Sequence, residues 1–139
     1  MSGGAWMLIK YALTALAILV LAGTATAEPT GSYNVVGRNP DTDENYTGTV
    51  EVSRHGETYV VVWNIGGKES IGTGIGARFA GDRFEMGPAS DDDTAISVGY
   101  VAEDNFGIAM YFEQSDGSWQ GVWSYGGSEK VTGEIWTRQ

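Results

Sequence analysis

Two stretches of this chain repeat one another, and the repeat limits what it can fold into. Val62-Trp63-Asn64-Ile65-Gly66-Gly67-Lys68-Glu69 returns sixty residues later as Val122-Trp123-Ser124-Tyr125-Gly126-Gly127-Ser128-Glu129. The offset holds on both sides. Glu44-Asn45-Tyr46 matches Asp104-Asn105-Phe106, and Tyr59 matches Trp119. Ile71 matches Val131, and Ile75 matches Ile135. A constant offset with conservative exchanges argues for a duplicated supersecondary unit.

Residues 1–27 are set apart from this pattern. Lys10 is the only basic residue before an apolar run from Tyr11 to Ala22, and Ala25-Thr26-Ala27 ends in small residues. This predicts a secretory signal peptide cleaved after Ala27, too short and too weakly flanked for a stable membrane span. The expected location is therefore periplasmic or secreted. Residues 28–139 form the predicted single domain. They carry seven Lys and Arg against 18 Asp and Glu, a net charge of −11. Such a surface repels nucleic acid and anionic membrane. The chain has no Cys, which removes disulfides, thiol chemistry and Cys-based metal sites.

Short β-type runs fill the domain. Tyr46 to Ser53 alternates apolar and polar residues, as a half-buried strand does. Tyr59, Val61 and Trp63 share a face of the next run, and Ile71, Thr73 and Ile75 share a face of the one after. A short extra strand is expected around Phe84 to Met86. In the second half, Ile96, Val98 and Tyr100 share a face. The repeat places Phe106, Ile108, Met110 and Phe112 inward, at the positions of Tyr46, Gly48, Val50 and Val52. No helical periodicity appears after residue 27. About eight strands in two four-strand repeats predict an all-β fold, a small antiparallel up-and-down barrel, with a β-sandwich as the alternative. A transmembrane barrel is not expected, because the presumed outward face carries Thr, Glu, Ser and Gln.

Motifs with chemical potential mostly read as structure. Asp41-Thr42-Asp43-Glu44-Asn45 opens like a calcium loop, but Tyr46 stands where the turn glycine belongs and Val52 where the bidentate Glu belongs. Asp91-Asp92-Asp93 reads as a solvated connection. No metal site is expected. His55 is the only His, in a turn, and no nucleophile-elbow motif accompanies it. No catalytic residue and no cofactor is expected. Gly72-Thr73-Gly74-Ile75-Gly76 lacks the following helix that a dinucleotide loop requires. Its glycines give one bare strand face, suited to sharp coiling or to rings packing across it.

The aromatic residues carry the most information. Tyr46, Tyr59, Trp63, Tyr100, Phe106, Phe112, Trp119 and Trp123 fall on the predicted inner face. A barrel of this size is filled by its own side chains or holds one small ligand. The candidate ligand-binding set is Tyr59, Trp63, Tyr100, Trp119 and Trp123.

The run Gly31-Ser32-Tyr33-Asn34-Val35-Val36-Gly37-Arg38-Asn39-Pro40, with Tyr46-Thr47-Gly48-Thr49-Val50 and Tyr59 to Trp63, carries a family likeness. So does Asp116-Gly117-Ser118-Trp119-Gln120-Gly121-Val122-Trp123 with Gly133-Glu134. These motifs resemble a family of short exported proteins of Gram-negative bacteria labelled "fibronectin-binding protein". The resemblance implies a non-enzymatic binding protein whose partner is a host or envelope protein such as fibronectin. The barrel reading itself suggests a carrier of a small apolar or aromatic ligand, as in lipocalins and avidins. An envelope enzyme around His55 and the acidic loops is the third reading. The partner is thus an unidentified protein or small ligand, with no nucleic acid and no embedding in the membrane after cleavage.

Overall fold

Alternating burial along nearly every strand makes this an all-β protein. The computed structural model describes residues 28–139, and the predicted signal peptide lies outside the described residues. The strands are β1 (Gly31–Arg38), β2 (Asn45–His55), β3 (Thr58–Ile65), β4 (Lys68–Ala80), β5 (Arg83–Gly87), β6 (Ala95–Ala102), β7 (Asn105–Glu113), β8 (Trp119–Tyr125) and β9 (Thr132–Arg138). No helix occurs among the described residues. In particular, none is long and apolar enough to cross a membrane.

All neighbouring strands are antiparallel. β1 pairs with β2 and β9, and β3 pairs with β4, so the sheet closes on itself. The closed ring contains β1, β2, β3, β4, β6, β7, β8 and β9, which leaves no free edge within the barrel. β5 stands outside the ring. It pairs only with the second half of β4, on the side that β3 occupies lower down. The barrel expected from the strand pattern is therefore the observed one, with one added strand.

Bare glycines make room inside this narrow barrel. A Cβ at Gly37 would sit 2.2 Å from the Tyr46 ring, and one at Gly107 would sit 2.2 Å from the Tyr100 ring. Gly121 seats Tyr111 in the same manner, at 2.4 Å. In β4, Gly72 and Gly74 face inward and accept Val98 and Ile96 of β6. Gly76 lies against the Asp93 carboxylate. The glycine-rich run is thus a packing surface for side chains from across the sheet.

The core occupies one end of the barrel. Tyr33, Val35, Val50, Tyr59, Val61, Ile96, Val98, Trp119 and Trp136 are almost wholly buried. The connection from β5 to β6 folds over this end. Ala89 enters the core, and its N–H donates to the Glu57 carbonyl at 2.8 Å. Asp93 is also fully buried there, which corrects its reading as a solvated loop residue. Its Oδ2 accepts from the Tyr59 hydroxyl at 2.5 Å and the Ser90 N–H at 2.8 Å, while Arg78 lies 3.3 Å from Oδ1.

The inward face of β7 is the opposite of the one expected. Ala109 and Tyr111 are buried, while Phe106 and Ile108 are 68% and 64% exposed and Phe112 also faces out. The cause is a one-residue difference in register between the β2–β3 and β7–β8 hairpins. Val50 stands opposite Trp63, but Ala109 rather than Met110 stands opposite Trp123. Only Gly56 and Glu57 separate β2 from β3, whereas five residues, Gln114 to Ser118, separate β7 from β8. A shift of one residue turns every side chain of a strand to the other face. The outer face is consequently less polar than expected. Ile71 of β4, Val101 of β6 and Phe106 of β7 lie side by side on it, with Ile108 and Val122 nearby.

This register makes a direct prediction. Ile108→Ala should leave the denaturant midpoint within about 0.5 kcal/mol of wild type, as a surface change does. Tyr111→Ala should cost about 3–5 kcal/mol, as removal of a buried aromatic side chain does. The reverse order in chemical denaturation would restore the expected register.

Candidate functional site

The other end of the barrel is open. Four connections border it: β1 to β2, β3 to β4, β6 to β7 and β8 to β9. Between them lies a cavity of about 450 Å³. This volume falls within the usual range for small-molecule sites. Its wall is aromatic: Tyr46 enters from the start of β2, Trp63 from the end of β3, Tyr100 from the end of β6 and Trp123 from β8. The ring centroids of Trp63 and Tyr100 are 5.5 Å apart, those of Tyr46 and Trp123 6.1 Å, and those of Tyr100 and Trp123 6.5 Å. These are edge-on or tilted contacts at favourable spacing, so each ring holds its neighbour in place.

Glu134 of β9 forms the floor. It is buried, and both carboxylate oxygens are engaged. Oε1 accepts from the indole N–H of Trp63 at 2.9 Å, the indole N–H of Trp136 at 2.6 Å and the hydroxyl of Tyr111 at 2.8 Å. Oε2 accepts from the hydroxyl of Tyr46. All four donors are neutral, and no cationic side chain pairs with Glu134 among the described residues. Burial and the adjacent carboxylate disfavour phenolate at every tyrosine around it. Burial first, then the Glu134 charge, push Tyr100 up to about 12. The same two causes also raise Tyr46 and Tyr111 well above the ordinary value.

The rim is acidic. Glu44, Glu69 and Glu103 line it, with Lys68 as the basic group among the lining residues. Lys68 and Glu103 form an exposed pair at 3.0 Å that bridges two turns. Such a pair contributes little stability. Asn39 organises the nearby β1–β2 loop by accepting the N–H groups of Asp41 and Thr42 at 2.9 and 3.0 Å. Asp41 then accepts from Tyr125 and Ser128 across the mouth, while Asp43 pairs with Arg38 at 3.2 Å. The two aspartates of the calcium-like run thus point to different partners. Among the described residues no three His, Cys, Asp or Glu side chains converge as a metal site would require.

Of the five candidate ligand residues, three meet at this cavity: Trp63, Tyr100 and Trp123. Tyr59 and Trp119 do not. Both are buried in the closed half, Tyr59 bonded to Asp93. Their inward orientation fits the pattern, but strand position along the barrel axis separates them from the opening. His55 is exposed as the last residue of β2 at the closed end, away from the cavity. Glu134, Tyr46 and Tyr111 are site residues outside that candidate set. A signal for Glu134 exists in the chain: Thr132, Glu134 and Trp136 share one face of β9, and a Trp on that face marks it as inward.

The chain matches no protein-family model, and no curated protein is detectably similar to it.

The raised phenols give a pH dependence. Their folded-state pKa values exceed the ordinary value of about 10, so the unfolded chain loses these protons first. Their contribution to stability is complete below about pH 10 and is lost as pH rises through 10 and 12. Denaturation midpoints should fall across that window. Phenolate absorbance from these tyrosines should appear together with loss of the β-sheet dichroism signal, rather than before it.

Proposed function

We propose that this protein is an exported, non-enzymatic binding protein that holds a small, partly aromatic ligand in the open end of its barrel. The observation that carries this reading is the unfilled cavity of about 450 Å³ under four aromatic rings, in a barrel whose other half is closely packed. A barrel that served only as a scaffold would gain stability by filling this space, since each missing contact is lost packing energy. Here Phe106, Ile108 and Phe112 of β7 face out, and on the inner face only Gly107 and Ala109 accompany Tyr111. Rings held by mutual contacts and by Glu134 offer a preformed surface, so a flat ligand binds without ordering the wall first.

Trp123 is the residue to test. It is only half-buried and makes no hydrogen bond to Glu134, although its ring packs against Tyr46 with centroids 6.1 Å apart. Trp123→Ala should weaken binding of a small aromatic ligand at least tenfold while the fold stays intact by circular dichroism. Calorimetric titration of wild type and variant with a panel of such ligands measures this. Unchanged affinity would place the binding site elsewhere.

A second reading is favoured by the exposed apolar face of β4, β6 and β7. Ile71, Val101, Phe106 and Ile108 form an uncharged patch of the kind that marks protein recognition. A host or envelope protein such as fibronectin would dock there. On this reading, immobilised fibronectin should capture the protein, and Ile108→Glu should reduce capture about tenfold. Absence of capture at micromolar concentration removes fibronectin as the partner.

A further inference from the structure

Glu134 points to the charge of the ligand. A carboxylate buried in a protein is normally paired with a cation, because desolvation of an unpaired charge is costly. The second buried carboxylate of this barrel follows that rule, since Asp93 has Arg78 beside it. Glu134 has only two indole N–H groups and two phenol hydroxyls. Three of these converge on Oε1, and Oε2 takes one. Oε2 therefore keeps acceptor capacity, and Glu134 itself lines the cavity.

Two further features favour positive charge in the same place. The rings of Trp63, Tyr100 and Trp123 line the space, and aromatic rings attract cations by their quadrupole. The cavity lining carries four carboxylates, Glu44, Glu69, Glu103 and Glu134, against one ammonium, Lys68. That ammonium is already engaged with Glu103. The surrounding domain, with its net charge of −11, draws cations toward the mouth.

Resting on the small-ligand reading above, we infer that the ligand is an organic ammonium with an aromatic or apolar body, its nitrogen donating to Glu134 Oε2 and its body stacked among Trp63, Tyr100 and Trp123. The ammonium supplies the missing countercharge through a charge-assisted hydrogen bond. Anionic ligands of the same shape are rejected by the floor and the rim.

Three probes of one shape separate charge from shape: naphthylethylammonium, naphthylethanol and naphthylacetate. Calorimetry with the wild-type protein at neutral pH and physiological salt should rank them in that order, the ammonium at least tenfold tighter than the alcohol. Glu134→Gln should reduce that preference to about twofold or less. If this variant fails to fold, the ranking on wild type still decides the matter. Equal or tighter binding of the alcohol overturns the inference and leaves the small-ligand reading standing. Tighter binding of the carboxylate also overturns it. If none of the three binds at millimolar concentration, the small-ligand reading falls with it.

Discussion

The hydrogen bonds to Glu134 connect distant parts of the barrel through one side chain. Trp63 comes from β3, Tyr111 from β7, Tyr46 from β2 and Trp136 from β9 itself. These strands lie on different sides of the closed sheet, so the carboxylate acts as a cross-brace within the barrel. Its charge makes each bond stronger than one between neutral groups. The arrangement also fixes the orientation of two cavity rings, Tyr46 and Trp63. Structural order and the shape of the site thus have the same source. Removing the carboxylate would strand three buried donors and the half-buried Tyr46 hydroxyl at once, each with its own desolvation cost.

The two ends of the barrel use buried acids in different ways. At the closed end, Asp93 is satisfied by a phenol, a backbone N–H and Arg78, and the β5–β6 connection covers it. Asp93 itself needs no further partner. At the open end, Glu134 has neutral donors and a cavity above it. The same residue class therefore completes the fold at one end and leaves a chemical demand at the other. This contrast makes the open end the better candidate for function.

The chain reveals its architecture through alternation and turn residues, which are local signals. Every expected strand occurs, including the short one around Phe84 to Met86, now β5. Gly72, Gly74 and Gly76 are legible for a similar reason, since three glycines at period two can only bare one face. The site is less legible. Trp63 and Trp123 share a face and an end because the hairpins preceding their turns are alike. Tyr59 shares the face but not the end. Which end of a barrel stays open depends on where the β5–β6 connection folds back, and that contact spans residues far apart in sequence. Glu134 is hidden because a lone carboxylate on a strand ordinarily marks the outer face, and only its companion Trp136 argues otherwise.

The slip in β7 links the two surfaces of the molecule. Had the duplicated pattern held, Phe106, Ile108 and Met110 would have entered the barrel beside Tyr100 and Trp123. Those side chains would replace Gly107, Ala109 and Tyr111 on the inner face and put bulk where Gly107 and Ala109 now leave room. Instead, Gly107 accepts the Tyr100 ring, and Ala109 stands opposite Trp123 with a single methyl group. The displaced apolar bulk lies on the outer face beside Val101 and Val122. The five-residue β7–β8 connection accommodates this register, whereas the two-residue β2–β3 turn holds the other one. A small change in hairpin geometry thus decides which β7 side chains face the cavity. The same register uncovers an apolar patch outside, so the interior cavity and the exterior surface both depend on how β7 pairs with β8.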